Sequence, residues 1–300
     1  MTVIAIVVTF NRCALLKKVL HSLLSQSIAL NKIIIIDNDS NDDTAKVVHD
    51  FSEVDDIFYY YNTGDNLGGA GGFYQGFKIA EQFYYDYLWL MDDDLLPEPD
   101  CLEKLIQDRP EGIVQPVRYD LDGACAEISP VEYNLQKIFC RNPKTKTVKE
   151  VISTVISDNC REIDIAGVPF EGPLISKSVV NKVGYPNPDF FIFNDDLDYS
   201  LRTRSKGFSI KCIVDARATR LLKNNQKNDL KSWKGYFMLR NHYYILRNHG
   251  ENKLVKNRVY LIMFYYFLKS VFSFDYKFAK VVIFSFKDSF SLKNSKRFRP

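Results

Sequence analysis

The sequence predicts an α/β fold, a parallel sheet flanked by helices with a helical C-terminal extension, on three observations. Val3-Ile4-Ala5-Ile6-Val7-Val8 and Lys32-Ile33-Ile34-Ile35-Ile36-Asp37 are near-continuous aliphatic runs, the pattern of strands covered on both faces. Helical periodicity follows each run, and strand, helix, strand, helix at this spacing pairs in parallel through right-handed crossovers. A third apolar run, Leu88-Trp89-Leu90-Met91, drives into Asp92-Asp93-Asp94 and then Leu95-Leu96-Pro97, so a buried strand delivers clustered charge at its C-terminal end. Ligands of such sheets sit beyond those ends, where Thr9–Arg12, Asp37 and Asp92–Asp94 would all lie.

Taken in order, the first strand leads into Asn11, expected to cap a helix whose apolar positions Leu15, Leu16, Val19, Leu20, Leu23 and Leu24 share one face. The second leads into Asp37-Asn38-Asp39-Ser40-Asn41, which begins like a calcium loop. Asp42 then stands where that loop needs Gly and Val48 where it needs Glu, which excludes an EF-hand. Asn66-Leu67-Gly68-Gly69-Ala70-Gly71-Gly72-Phe73 opens a helix expected from Tyr74 to Phe83, and its glycines permit close backbone approach at a helix N-terminus. Tyr74 occupies the third glycine position of a dinucleotide fingerprint, which argues against a Rossmann dehydrogenase, and no P-loop pattern is present.

In a strand, residues i and i+2 share a side, so Asp92 and Asp94 can converge on one cation while Asp93 points elsewhere. A hard divalent ion with oxygen ligands would relieve their repulsion. The alternative for this stretch alone is a solvated acidic turn before a helix N-terminus.

Residues 118–161 pattern weakly and read as an insertion with a small hairpin or loop. Order returns at Ile163, with a helix expected from Ser176 to Val183. Phe190-Phe191-Ile192-Phe193-Asn194-Asp195-Asp196 then repeats the opening theme, an aromatic approach that delivers carboxylates into a helix start. Asp195 suits an N-terminal cap as well as a chemical role; Asp196 is the candidate base. Two acid clusters suit a division of labour, one holding metal and phosphate and the other taking a proton.

Composition sets the limits. Three hundred residues, 46% hydrophobic and 14% aromatic, suffice for a large packed core and exclude a disordered chain. The net charge is +3, but residues 253–300 carry 11 Lys and Arg against 2 Asp, a basic tail on an acidic body. The six cysteines have no Cys-x-x-Cys pair and no zinc-type spacing to His, and read as reduced thiols of a cytoplasmic protein. The N-terminus reads as a strand rather than a signal peptide. No apolar stretch reaches the about 18–20 residues that cross a bilayer.

Together these residues resemble inverting glycosyltransferases of family 2, with the GT-A fold, and especially the bacterial branch of galactofuranosyl- and rhamnosyltransferases. Five segments carry the resemblance, in family order: Val7-Val8-Thr9-Phe10-Asn11-Arg12, Ile36-Asp37-Asn38-Asp39-Ser40, Asn66 to Phe73, Leu90-Met91-Asp92-Asp93-Asp94, and Asn194-Asp195-Asp196-Leu197-Asp198-Tyr199-Ser200-Leu201-Arg202. The resemblance implies that Thr9, Asn11, Arg12 and Asp37 line the nucleotide site, with Asp37 on the base. It implies that Asn66 and the glycine turn, Gly69 included, support nucleotide and donor sugar, with Asp93 beside them. Asp92 and Asp94 match the metal-binding pair for Mn²⁺ or Mg²⁺, and Asp196 matches the base. The family usually has a His later in the chain that completes the metal site. Arg220 stands there, and a guanidinium, always protonated, cannot ligate a cation.

Trp233 to Tyr244 resembles the Tyr-x-x-x-Arg-Asn segment of this branch, and Arg240 is expected to approach donor phosphates. Beyond it, Val255 to Phe290 mixes aromatics with lysines, the character of an interfacial helix on an anionic membrane surface. No RNA or DNA motif accompanies the tail, so no nucleic-acid partner is expected. The expectation is thus a GT-A catalytic domain over 1–225 and a helical basic and aromatic region over 226–300. Its donor would be a nucleotide sugar, UDP-galactofuranose first and dTDP-rhamnose second. Its acceptor would be a glycan or lipid-linked saccharide at the inner face of the plasma membrane. A catalytically silent sugar-nucleotide-binding module is the non-enzyme alternative, and the sequence leaves the oligomeric state open.

Overall fold

The computed structural model describes residues 1–140, 142–222, 230–292 and 298–299. Strand β1 (Val3–Thr9) leads to helix α1 (Cys13–Leu24), β2 (Lys32–Asp37) to α2 (Thr44–Ser52), and β3 (Phe58–Asn62) to α3 (Gly68–Ala80). Strands β4 (Tyr87–Asp92) and β5 (Leu95–Pro97), helix α4 (Cys101–Ile106) and β6 (Ile113–Asp120) follow. Then come the hairpin β7 (Pro130–Tyr133) and β8 (Lys144–Thr147), helix α5 (Val148–Ser157), β9 (Glu162–Asp164), β10 (Leu174–Ser176) and α6 (Lys177–Val183). Helix α7 (Asp195–Ser205), β11 (Ile210–Arg220) and the helices α8 (Lys234–His249), α9 (Lys253–Phe272) and α10 (Tyr276–Asp288) complete the described chain.

The main sheet runs β3-β2-β1-β4-β10-β6-β11-β5, with β9 against β11. Strands β1 to β4 pair in parallel, as does β6 with β11. Strand β10 is antiparallel to both its neighbours, and β5 and β9 are antiparallel to β11, so the sheet is mixed rather than purely parallel. The short strand β10 can reverse direction because no helical crossover leads into it; only a parallel neighbour requires one.

The continuous apolar runs have a direct cause. Val3, Ala5 and Val7 of β1 face a core with Leu16, Val19 and Leu20 of α1. Ile4, Ile6 and Val8 face a second core with Phe73 and Phe77 of α3 and Tyr199 of α7. Both faces are dry, so no alternation of polar residues survives.

Two local expectations are corrected. The helix after the glycine cluster starts at Gly68, inside the cluster, because Gly76 must lie against β1: a Cβ there would meet Ile6 Cγ2 at 2.3 Å. The N-cap of α1 is Arg12 rather than Asn11, which sits at φ 54. Asp42 from the neighbouring loop takes over that end, accepting from the Cys13 backbone N–H at 2.9 Å.

In the C-terminal helices, Val255, Val259, Ile262 and Tyr266 of α9 pack with Tyr243 and Leu246 of α8 and Phe278 and Val282 of α10. Leu254, Leu261, Phe264 and Tyr265 remain exposed on α9, and Phe272 and Phe274 are each 77% exposed at its end. No helix among the described residues is long and apolar enough to cross a membrane. The expected boundary at 225/226 lies outside the described residues.

Gly68 supplies the sharpest test of this packing. It has φ +70, and a Cβ would lie 2.2 Å from the Phe191 carbonyl oxygen. Gly68→Ala should lower unfolding stability by about 1–3 kcal/mol. Gly69→Ala, whose Cβ would meet nothing within 4 Å, should leave thermal stability unchanged or raised. Thermal denaturation of the two variants side by side measures the difference.

Candidate active site

The rim beyond β1, β2 and β4 is tied together by side chains that the sequence placed there singly. Thr9 Oγ1 donates to Asp93 Oδ2 at 2.9 Å, the Phe10 N–H to the same oxygen at 3.4 Å, and Arg12 Nη1 to Asp93 Oδ1 at 2.9 Å. Asp93, 3% exposed, is thus an internal tie between two loops. Arg12 also reaches Asp94 at 3.7 Å. Asn11 Oδ1 accepts from the Asn41 N–H at 2.7 Å and locks the β1 loop to the β2 loop. Asn66 Oδ1 accepts from the Gly68 N–H at 2.9 Å and shapes the turn into α3.

Asp37 differs from expectation. It is fully buried, with the Ser40 N–H donating to one oxygen at 2.9 Å and the Tyr60 hydroxyl to the other at 2.6 Å. Burial, and next the bond to Asp37, push the Tyr60 hydroxyl up to about 12, so that donor stays protonated. Asp37, expected on the base, thus lies buried beneath the rim with each oxygen accepting one bond from the protein.

The carboxylates at the end of β4 face a third that the sequence reading missed, Glu171. Burial and then the charges of Glu171 and Asp94 raise Asp92 well above the usual carboxylate range. Burial and then Glu171 and Asp93 push Asp94 up to about 6. Glu171 pairs with Arg118 and, at 3.2 Å, with Arg220. Arg118 is itself 2% exposed and forks onto Glu127, Nε to Oε2 at 2.8 Å and Nη2 to Oε1 at 2.9 Å. Burial alone would raise Glu127, but Arg118 and the Ser129 bonds override it and hold the carboxyl below its ordinary value. Arg118 thus stands between two acids, Glu171 on the side of the aspartates and Glu127 behind it, and Arg220 joins it on Glu171. The weakly patterned stretch 118–161 supplies Arg118 and Glu127, besides the hairpin β7–β8 and helix α5.

This donor set fits a hard dication, since two aspartates driven toward their neutral forms by burial and then by neighbouring acids would be stabilised by a positive ion on their oxygens. Among the described residues no three His, Cys, Asp or Glu side chains are arranged to hold a metal. The remaining ligands would have to be donor oxygens and water. Arg220 cannot replace the absent His as a ligand; its guanidinium meets Glu171 instead.

Asp92, Glu171, Gly69, Asp195 and Asp196 line one cleft of about 1610 Å³. The two acid clusters, a hundred residues apart in sequence, thus open onto the same space. Asp195 is 8% exposed, and burial and then the charge of Asp196 push it up to about 8. Asp196 is more open; its Oδ1 accepts from the Leu197 N–H at 2.7 Å, and burial raises it as well. The expectation for Arg240 is corrected. It is fully buried away from the cleft, and its Nη2 donates to the carbonyls of Asp189 at 2.7 Å and Phe190 at 2.8 Å.

Comparison with known proteins adds the family. Residues 4–164 match the model for glycosyl transferase family 2. The galactofuranosyltransferase GlfT1 of Mycolicibacterium smegmatis is 26% identical, over 89% of this chain and 90% of its own. The crystal structure of GalNAc-T7 with UDP, GalNAc and Mn²⁺ superposes with a TM-score of 0.60 at 14% identity, over 86% of this chain; this chain spans 53% of that one. Staphylococcus aureus TarS 1–349 in complex with UDP-GlcNAc gives 0.57 at 14% identity, over 99% of this chain and 83% of its own. These two structural likenesses bear on the fold.

The buried Arg118–Glu127 fork makes a prediction that needs no substrate. Glu127→Ala leaves a buried guanidinium short of its partner and should cost about 3–5 kcal/mol in urea unfolding. Because the folded Glu127 carboxyl is held below its unfolded value, its contribution is present above the unfolded pKa and lost as pH falls through the folded one. The stability gap between the native protein and Glu127→Ala should therefore narrow in acid, which unfolding curves at neutral and acid pH measure.

Proposed function

The chain belongs to glycosyl transferase family 2, and we propose that it transfers one sugar, with inversion, from a nucleotide diphosphate donor to a hydroxyl of a lipid-linked surface glycan. The observation that carries this reading is the single cleft shared by Asp92 and Asp196. Galactofuranose from UDP-galactofuranose is the donor we favour, supported by the likeness to GlfT1 along nearly the whole of both chains.

In this reading the acceptor hydroxyl oxygen attacks the anomeric carbon from the face opposite the diphosphate. Its proton passes to a carboxylate oxygen of Asp196 as the bond from the anomeric carbon to the diphosphate oxygen breaks, releasing the nucleoside diphosphate. Burial raises Asp196, which makes it a stronger base than an exposed carboxylate. Asp195 lies deeper, and burial and then the charge of Asp196 push it up to about 8, which favours its neutral form beside a charged Asp196. A Mn²⁺ or Mg²⁺ ion held by Asp92 and Asp94 would supply positive charge against the departing diphosphate. Arg118 and Arg220, gathered by Glu171 on the cleft wall, add positive potential on the same side. Gly69, with open space where a Cβ would stand, leaves room at the start of α3 for the donor.

The C-terminal helices suit attachment to the cytoplasmic face of an anionic membrane. Their exposed aromatics, Phe264, Tyr265, Phe272 and Phe274 among them, accompany the excess of Lys and Arg over residues 253–300.

Two experiments test the proposal. With UDP- and dTDP-sugars and Mn²⁺ or Mg²⁺, Asp196→Asn should lose at least about a hundredfold in transfer rate while keeping donor affinity. Asp94→Ala should instead weaken metal-dependent donor binding. Nucleotide release assays and titration calorimetry separate the two, and retained transfer in Asp196→Asn would remove it as the base. Phe272→Glu/Phe274→Glu should release the protein from phosphatidylglycerol vesicles in a sedimentation assay; unchanged binding would refute the role of the tail.

A further inference from the structure

Helix α7, which carries Asp195 and Asp196, is entered through a backbone that side-chain-bearing residues rarely adopt. Phe191 (φ 64), Phe193 (φ 65) and Asn194 (φ 64) all lie at positive φ, and none is glycine. Such a turn persists only where its surroundings over-determine it.

Two adjacent side chains of α8 do this. Asn241 Nδ2 faces three carbonyl oxygens, of Phe190 at 3.2 Å, Ile192 at 2.7 Å and Phe193 at 2.8 Å. Arg240 Nη2 holds the carbonyls of Asp189 and Phe190, and its Nε donates to Asn241 Oδ1 at 2.9 Å. The guanidinium lies over the rings of Tyr236 at 5.5 Å and Phe237 at 5.0 Å, which fixes its plane. Both Arg240 and Asn241 are 0% exposed.

The gripped turn in turn sets two helix starts at the cleft. The Phe191 carbonyl accepts from the Ala70 N–H at 3.1 Å, at the beginning of α3 beside Gly69, and the Asn194 carbonyl accepts from the Asp198 N–H at 2.9 Å in the first turn of α7. A shift of this turn would move Asp196 and the start of α3 together.

We propose that Arg240 and Asn241 are positioning residues: by gripping the carbonyls of Asp189, Phe190, Ile192 and Phe193 they hold the strained turn that sets the Asp196 carboxylate relative to the N-terminus of α3. The inference rests on Asp196 as the base. The grip acts on kcat through the Asp196 carboxylate, and neither side chain lines the cleft itself.

The test uses the full chain and three variants: Asn241→Ala, Asn241→Ala/Phe193→Gly and Arg240→Lys. Hydrogen exchange reads the turn without substrate, and transfer from whichever UDP- or dTDP-sugar the native protein uses reads the chemistry. Asn241→Ala should speed exchange at the Ala70 and Asp198 amides at least tenfold while leaving β1 and β4 unchanged. It should also lower kcat at least tenfold with donor KM within threefold. Glycine adopts φ 65 without a clamp, so the double variant should recover at least a third of the lost protection and rate. Plain packing of α8 predicts the reverse: exchange rising throughout α8 to α10, and a double variant worse than the single. That result, or unchanged kcat and exchange in folded Asn241→Ala, overturns the proposal. If Asn241→Ala does not fold, Arg240→Lys decides by the same readings, since lysine keeps the cation over the rings but not the fork. Retained transfer in Asp196→Asn refutes the base assignment alone, whereas a dead Asp196→Asn beside a fully active Asn241→Ala refutes the clamp alone.

Discussion

Like charge, confined, is the constraint on which the rest of the site depends. Asp92 and Glu171 line the cleft with Asp195 and Asp196, and Asp94 follows Asp92 in the chain; burial, before any neighbour acts, drives Asp92, Asp94, Asp195 and Asp196 toward their neutral forms. Carboxylates this close and this dry cannot all ionise unless positive charge is brought to them. The chain supplies part of it. Arg12 answers Asp93 and Asp94, while Arg118 and Arg220 answer Glu171. Asp92, the last residue of β4, has no ion pair of its own among the described residues, and with Asp94 in the turn that follows it is where the proposed dication would be most favoured.

The counter-charges have supports of their own, and these reach into the part of the chain that looked least ordered. Arg118, 2% exposed, is a buried cation with two acids on it, of which Glu171 is only one. Glu127, fully buried and held in turn by the Ser129 N–H at 3.0 Å, completes the compensation. The stretch between β6 and β7 therefore sets the electrostatics of the cleft, although its sequence carries no strong periodicity.

What the sequence reveals here follows from the range of the interaction concerned. The strands and the first helices depend on periods of two and 3.6 residues and were legible; the period of two does not reach Asp94, which lies in the turn after β4. Asp196 was legible as well, because an aromatic run ending in acids marks a helix start. Glu171 and Arg118, 53 residues apart, were not, since nothing local in Phe170-Glu171-Gly172 distinguishes a paired acid from a solvated one. Asn11, Asp37 and Asp93 were rightly placed at the rim, but their bonds to Asn41, Tyr60 and Thr9 cross between loops and have no local signature. The glycine cluster announced a close approach without revealing that Gly68 takes the positive φ while Gly76 meets β1.

Arg240 shows how a residue type can mislead when its surroundings are unknown. An arginine after a catalytic domain that handles diphosphates suggests a phosphate contact, and the adjacent Asn241 suggests nothing. In the fold both turn inward and donate to the carbonyls of Asp189, Phe190, Ile192 and Phe193, while the Phe191 carbonyl accepts from the Ala70 N–H. The positive-φ turn creates this need, and the dipeptide on α8 meets it with a planar fork and an amide. The C-terminal helices are thereby joined to the main sheet through the backbone that leads into Asp195 and Asp196. Anything that tilts α8 bears on the position of Asp196.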